Sequence, residues 1–256
     1  MELAFRKHGE GKPLIILHGL FGQMDNWNSL AKQFANLGFS VYTIDQRNHG
    51  LSPHSIEWTY ELMAKDLNDF IEQHKLNNPI LLGHSMGGKT VLFFEKMFSN
   101  QASKLIVVDV AAKQYNPRHN EVIKALNAVD FNKVKTRKEA EIILNEFIND
   151  FGTKQFLLKN IYWKDSTNDK MDWRFNLNTI TLNYNNINVK VPEFVSSTPT
   201  LVIRGSSSDY IDDKDINDFK TRFKTIEIQT VLNAGHWVHA ENPIAFFNLV
   251  KNFIIN

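Results

Sequence analysis

Along the first 110 residues, short apolar runs alternate with longer stretches in which apolar positions recur every third or fourth residue. The runs are too short for ordinary helices and read as strands buried on both faces. They are LIIL (Leu14–Leu17), FSVYTI (Phe39–Ile44), PILLG (Pro79–Gly83) and KLIVVDV (Lys104–Val110). Helical spacing marks Trp27–Leu37, Tyr60–Lys75 and Met86–Phe98, and in the last Val91, Phe94 and Phe98 form a stripe that can dock on a sheet. Strand and helix in alternation predict a parallel sheet with crossover helices.

The pattern changes at about Ala112. From there to Val191 the chain is rich in Asn, Lys and aromatics, and its periodic stretches (EVIKALNAV, KEAEIILNEFINDF) are helical, with no convincing strand. After VPEFVSSTPT the alternation resumes with TLVIRG (Thr200–Gly205), a polar helix, TIEIQTV (Thr225–Val231), a glycine turn and a last helix, Pro243–Ile254. The expected organisation is an α/β core over residues 1–111 and 192–256, interrupted by a helical cap at 112–191.

Composition narrows the function classes. A chain of 256 residues can bury a sizeable core. A net charge of +1 gives no reason to expect nucleic acid or an acidic membrane surface as partner. With no cysteine, disulfides, thiolate metal sites and a Cys nucleophile are excluded. The opening MELAFRKHGEGKPLIILHG carries early charges and only a short apolar run, unlike a secretory signal, and no segment approaches the length of a membrane span. A cytoplasmic location is the resulting expectation.

Candidate chemistry concentrates in LGHSMGGKTV (Leu82–Val91), which fits two motifs at once. Gly83-His84-Ser85-Met86-Gly87 is G-x-S-x-G, a tight strand-to-helix turn that presents a nucleophilic serine. Gly83–Thr90 is also G-x-x-x-x-G-K-T, the phosphate-cradling loop of a nucleotidase, and LIVVD then resembles a strand ending in a magnesium-binding Asp. The surrounding sequence decides between them. HGLFG follows the first strand and can bring the Leu20 backbone N–H opposite that of Met86, forming a pair of donors for an oxyanion. LNAGHWVHAENP places His236 in a loop after a late strand, a suitable position for a general base. The nucleotidase reading leaves both segments without a role and treats an elbow preceded by three strands as an early P-loop. In the hydrolase reading, Lys89 and Thr90 are simply an exposed and a packed position of the elbow helix.

The ordered set HGLFG, DQRNHGLS, GHSMGGK, VVDVA and GHWVHAENP resembles the α/β-hydrolase superfamily, and within it the YbfF-type esterases; RHNEVIKAL and DWRFNLNTI extend the likeness into the cap. Capped members generally carry the catalytic acid at the fourth position of G-x-x-D after the strand written here as TLVIRG. That position is Ser208, and Asp209 is one residue beyond it. In the YbfF-like group the acid lies instead at the position of Asp109, with the serine assisting the histidine. The resemblance therefore implies Ser85, His236 and Asp109 as catalytic residues and Ser208 as auxiliary, with Asp209 the runner-up acid. It implies a serine carboxylesterase for short- to medium-chain acyl esters, without metal or organic cofactor. An acyl-CoA thioesterase with the same residues is the near alternative.

Other residues receive lesser roles. His18, His84 and His239 are assigned to bracing, structure and packing or capping, and Asp45, Arg47 and His49 to a hydrogen-bonded brace beneath the site. In the cap, Trp163, Trp173 and Phe175 are candidates for an acyl pocket, and Arg118, His119 and Arg174 for contact with an anionic substrate group. Oligomeric state is not legible.

Overall fold

The computed structural model describes residues 1–165 and 170–256. Seven strands form one sheet: β1 (Phe5–His8), β2 (Lys12–Leu17), β3 (Phe39–Ile44), β4 (Ile80–His84), β5 (Lys104–Val108), β8 (Thr200–Gly205) and β9 (Ile226–Val231). Their spatial order is β1-β3-β2-β4-β5-β8-β9, with β1 antiparallel to β3 and every other pair parallel.

The inner strands are continuously apolar because both faces are covered. Ile15 and Leu17 of β2 and Leu105 and Val107 of β5 face one layer, with Met63, Leu67 and Phe70 of α2 (Tyr60–Gln73) and Val91, Phe93 and Phe94 of α3 (Met86–Met97). Leu14, Ile16, Ile106 and Val108 face the other layer, with Leu30 and Phe34 of α1 (Asn28–Ala35) and Phe246, Val250 and Phe253 of α10 (Pro243–Ile255). The period-two alternation of a strand thus feeds two cores at once. α8 (Asp213–Arg222) packs Phe219 into the first layer, and the short α9 (Val238–Glu241) precedes α10.

Between β5 and β8 the chain forms α4 (Asn120–Ala128), α5 (Arg137–Asn145), α6 (Phe151–Leu158) and α7 (Leu177–Asn183). It also forms an antiparallel hairpin of β6 (Ile161–Asp165) and β7 (Lys170–Trp173), which corrects the expectation of a strandless, wholly helical segment. Trp163 and Lys164 are exposed, whereas Met171 and Trp173 on β7 are buried. β6 (IYWKD) ends in charge and β7 (KMDW) alternates polar with apolar residues, so neither carries an unbroken apolar run like those of the inner strands. The two ends of the segment pair with each other: Tyr115 N–H donates to Asn188 O (2.8 Å) and Val191 N–H to Ala112 O (2.8 Å). Among the described residues, no helix is long and apolar enough to cross a membrane.

Candidate active site

The C-terminal ends of β4, β5 and β8 converge, and the loops leaving them carry the candidate chemistry. Ser85 lies between β4 and α3 with φ +52° and ψ −116°, a strained conformation for a non-glycine residue. The turn is anchored by Ser85 N–H donating to Val108 O (2.9 Å) on the neighbouring strand. Its tightness requires glycine on either side. A Cβ on Gly83 would lie 2.2 Å from Gly87 O, and one on Gly87 would lie 2.5 Å from Leu17 O.

Three side chains line up from this turn. Ser85 Oγ is 3.0 Å from His236 Nε2, and His236 Nδ1 is 2.7 Å from Asp109 Oδ2. With Nδ1–H donating to a carboxylate, the neutral ring leaves the Nε2 lone pair facing the serine hydroxyl. Asp109 is fully buried at the end of β5, with φ +48° and its N–H bound to Ile203 O (2.8 Å). Ser208 Oγ–H donates to Oδ2 (2.5 Å) and Gly205 N–H to Oδ1 (3.1 Å). Burial pushes the Asp109 carboxyl up to about 6, against the pull of these two donors. Burial lowers His236, which keeps the imidazole neutral at rest. Asp209 points elsewhere: its carboxylate is 81% exposed and pairs with Arg118 (2.6 Å).

The loop after β2 faces the turn. Among the described residues, neither the Leu20 N–H nor the Met86 N–H has an acceptor. The latter stands at the first turn of α3, where N–H groups lack intrahelical partners and favour negative charge. A dense brace holds the Leu20 loop. His18 Nδ1–H donates to Gly19 O (2.8 Å) while Nε2 accepts from Gln46 N–H (3.0 Å). His49 accepts from Phe21 N–H (3.2 Å), and Asp45 accepts from the N–H groups of Met24 (2.6 Å) and Leu51 (2.8 Å). Arg47 grips buried Asp66 through Nε (2.6 Å) and a terminal nitrogen (2.9 Å). Burial holds His18, His49 and His84 below the usual imidazole range, so each rests neutral and serves as a fixed hydrogen-bonding strut.

Three residues that sequence reasoning missed complete the arrangement. Tyr210 stacks on the His236 ring, with centroids 3.7 Å apart and planes at 15°. Glu241 accepts from Gly235 N–H (2.7 Å) and Trp237 N–H (3.1 Å), fixing the backbone on both sides of His236, and His84 Nε2–H donates to His236 O (2.8 Å). Lys89 corrects the expectation of an exposed position. It is 1% exposed, and its amine donates to Lys113 O (2.8 Å) and Val189 O (2.5 Å). The lysine of the alternative phosphate-loop reading is therefore engaged by two carbonyls, and Thr90 donates to Gln46 Oε1 (2.8 Å). A spacing signal existed for Glu241 alone, as a carboxylate one helical turn after a loop; the contacts of Tyr210 and Lys89 are tertiary.

Ser85 stands between two cavities. A cleft of about 640 Å³ is lined by His236 together with Phe21, Phe156, Leu157 and Trp237. A cavity of about 40 Å³ lies across Ser85, against Met86. His119 touches both and holds Tyr184 Oη (2.7 Å), and Arg118 borders the small one. Trp163, Trp173, Phe175 and Arg174 border neither, and Trp173 stacks on Phe175 within the core. His239 stacks on Trp27 (4.1 Å), as its packing assignment anticipated.

Comparison with known proteins decides the family. A family model described as the alpha/beta hydrolase fold matches residues 12–243. The chain is an α/β hydrolase. The hydrolase is 34% identical to the protein named esterase YbfF of Escherichia coli, across 94% of this chain and 92% of that one, which places it in the YbfF type. It is 35% identical to the sn-1-specific diacylglycerol lipase ABHD11 of Danio rerio, across 98% of this chain and 80% of that protein. Among solved structures, one titled marine microorganism esterase superposes with a TM-score of 0.95 at 42% identity, covering 99% of each chain. Relatives of these kinds support an esterase or hydrolase activity on small-molecule esters.

Proposed function

We propose that the hydrolase is a serine carboxylesterase acting on short- to medium-chain acyl esters through an acyl-enzyme. The observation that carries this reading is the continuous relay from buried Asp109 through His236 to Ser85, ending beside two backbone N–H groups that have no acceptor among the described residues. His236 Nε2 takes the Ser85 hydroxyl proton as Oγ attacks the ester carbonyl. The Leu20 and Met86 N–H groups receive the oxyanion, a contribution of about 2.7–4 kcal/mol per donor in related sites. His236 then protonates the departing alcohol and activates a water that releases the acid. Asp109 holds the imidazole in the productive tautomer and stabilises its charged form, and Ser208 and Gly205 N–H hold Asp109. No step calls for a metal or organic cofactor. The segment over residues 112–191 acts as a cap, because His119, Phe156 and Leu157 from it wall the cleft above Ser85.

Exposure to a fluorophosphonate probe, with peptide mass mapping and p-nitrophenyl butyrate turnover followed together, tests the reading. It requires one adduct, on Ser85, and loss of turnover in step with it. An unlabelled Ser85, or turnover that survives labelling, would refute it.

A further inference from the structure

We infer that the small cavity beside Met86 is the acyl site, and that the hydrolase acts on esters joining a short acyl group to a bulky alcohol. The inference rests on the esterase reading above and allots its two cavities. The leaving oxygen must come within reach of His236 Nε2, because that nitrogen delivers the proton it takes up. His236 borders the 640 Å³ cleft and not the small cavity. The alcohol portion therefore occupies the cleft. Both cavities share Ser85 and Leu20, while Met86 borders only the small one. With the carbonyl oxygen between the Leu20 and Met86 N–H groups, the substituent remaining on the carbonyl carbon is directed into the small cavity.

That cavity sets the length. It leaves only about 40 Å³ against about 640 Å³ in the cleft, and Leu20, Ser85 and Met86 at the oxyanion position are part of its lining, so it accepts a short acyl chain and the cleft takes the larger group. Its walls are fixed. Tyr60 Oη–H donates to Ile187 O (3.0 Å), and Tyr115 Oη–H donates to Tyr210 O (2.8 Å) while accepting from Ala111 N–H (2.7 Å). Tyr184 Oη accepts from the N–H groups of Arg118 (3.1 Å) and His119 (2.9 Å). With their hydroxyls tied to backbone, these rings cannot swing aside without leaving buried polar groups unpaired, at about 1–3 kcal/mol each. Behind them the Lys89 amine is held by two carbonyls and lies 4.8 Å from the Tyr115 ring centroid. The cleft, by contrast, is large enough for an aromatic or long-chain alcohol.

The test is the kcat/KM profile of the wild-type protein over p-nitrophenyl acetate, butyrate, hexanoate and octanoate, with acetates of methanol and 1-naphthol for the alcohol side. The expected result is a maximum at acetate or butyrate, a loss of about tenfold or more by octanoate, corresponding to one or two methylenes denied burial, and retention of 1-naphthyl acetate. Ile187→Ala and Val110→Ala each remove a wall of the cavity and should raise the octanoate-to-butyrate ratio at least about fivefold. The profile of the wild-type chain decides even where a variant fails to fold. Turnover that peaks at octanoate, or that rejects 1-naphthyl acetate, would overturn the cavity assignment alone. No turnover on any ester and no fluorophosphonate adduct would overturn the esterase reading, and the assignment with it.

Discussion

Removing the Ser208 hydroxyl isolates one part of the relay without touching substrate. Asp109 is fully buried and accepts three hydrogen bonds: 2.5 Å from Ser208 Oγ, 2.7 Å from His236 Nδ1 and 3.1 Å from Gly205 N. A hydrogen bond to a charged group contributes about 1.5–3 kcal/mol. One pKa unit corresponds to about 1.36 kcal/mol, so Ser208→Ala should raise the carboxyl by about one to two units. Burial already holds it at about 6. In the proposed mechanism Asp109 works as the carboxylate. Once protonated it can neither accept the Nδ1–H firmly nor balance the imidazolium, so activity falls as pH drops through this value. The proton taken up belongs to the Asp109–His236 pair as a unit, and the rate profile reports it as such. In the variant the acid limb of kcat/KM should therefore move up to about 7–8. At about pH 9 the loss should stay within about tenfold, and at about pH 6 a further loss of about tenfold appears. The assay is p-nitrophenyl butyrate turnover from about pH 5 to about pH 9, with the melting temperature of each protein recorded beside it. An acid limb shifted by less than about 0.3 unit, or a loss of the same size at every pH, would refute the role given to Ser208.

The two candidate acids separate cleanly. Asp109→Asn should cut kcat by about 10³–10⁴ through the wrong imidazole tautomer, whereas Asp209→Asn, which breaks only an exposed pair with Arg118, should change it less than about threefold. Equal losses in stopped-flow or steady-state turnover would contradict the geometry. Gly87→Ala would set a Cβ 2.5 Å from Leu17 O and 2.7 Å from His18 O, so it should cost about 1–3 kcal/mol in urea unfolding and lose most turnover. Retained stability with full activity would show that the turn relaxes freely. Burial lowers the Lys89 amine from 10.5 to about 7. The folded chain therefore holds that proton less tightly than the unfolded chain, and stability due to Lys89 rises as pH climbs from about 7 toward 10.5. Between about pH 7 and about pH 9 the wild type should gain about 2 kcal/mol on Lys89→Met in urea unfolding. A constant gap between the two proteins would remove the argument.

Legibility in the sequence followed burial. Strands β2 to β5 and β8 are covered on both faces, and their unbroken apolar runs marked them directly. Strand β1 was missed because FRKH is an edge strand, intermediate or exposed throughout, with no apolar run to mark it. The hairpin of β6 and β7 was missed although Ile161, Met171 and Trp173 are buried, because charged residues end or interrupt IYWKD and KMDW before an apolar run of strand length builds up. The turn at Ser85 was legible because its geometry needs glycine, and glycine leaves a mark in sequence. Tyr210 left none. It stacks on His236 across the fold, and an aromatic beside a string of serines and aspartates has no periodicity to betray it. Lys89 was read as exposed because lysine usually is. The better cue lay in its neighbours: MGGKTVLFF is small or apolar nearly all round, the pattern of a helix buried on every side. A lysine inside such a helix needs acceptors, and the paired ends of the 112–191 segment supply them.

The placement of the proposed acid follows from the sheet rather than from any one motif. Strands β5 and β8 are parallel neighbours, with Val108 opposite Ile203, so side chains leaving their C-terminal ends arrive within one strand spacing of the same point. A carboxylate can reach His236 from either strand. What cannot be relocated is the polar satisfaction of that carboxylate, because at full burial each missing donor raises its pKa and weakens it as a partner for the imidazole. When the acid sits on β5, the loop after β8 still passes over it, and the residue there is free to become a donor. Here Ser208 and the Gly205 N–H both take that part. On this view Asp109 and Ser208 are one unit divided between two strands. The unit makes a further demand that a lone acid would not: putting the carboxylate back on the β8 loop, as Ser208→Asp, should restore turnover only when Asp109 is replaced as well. With Asp109 kept, two carboxylates would share one buried point and one of them would be forced to hold a proton. Higher turnover in Ser208→Asp/Asp109→Asn than in either single variant is the result that this exchange requires, and strict additivity of the two losses would show that the strands are not interchangeable.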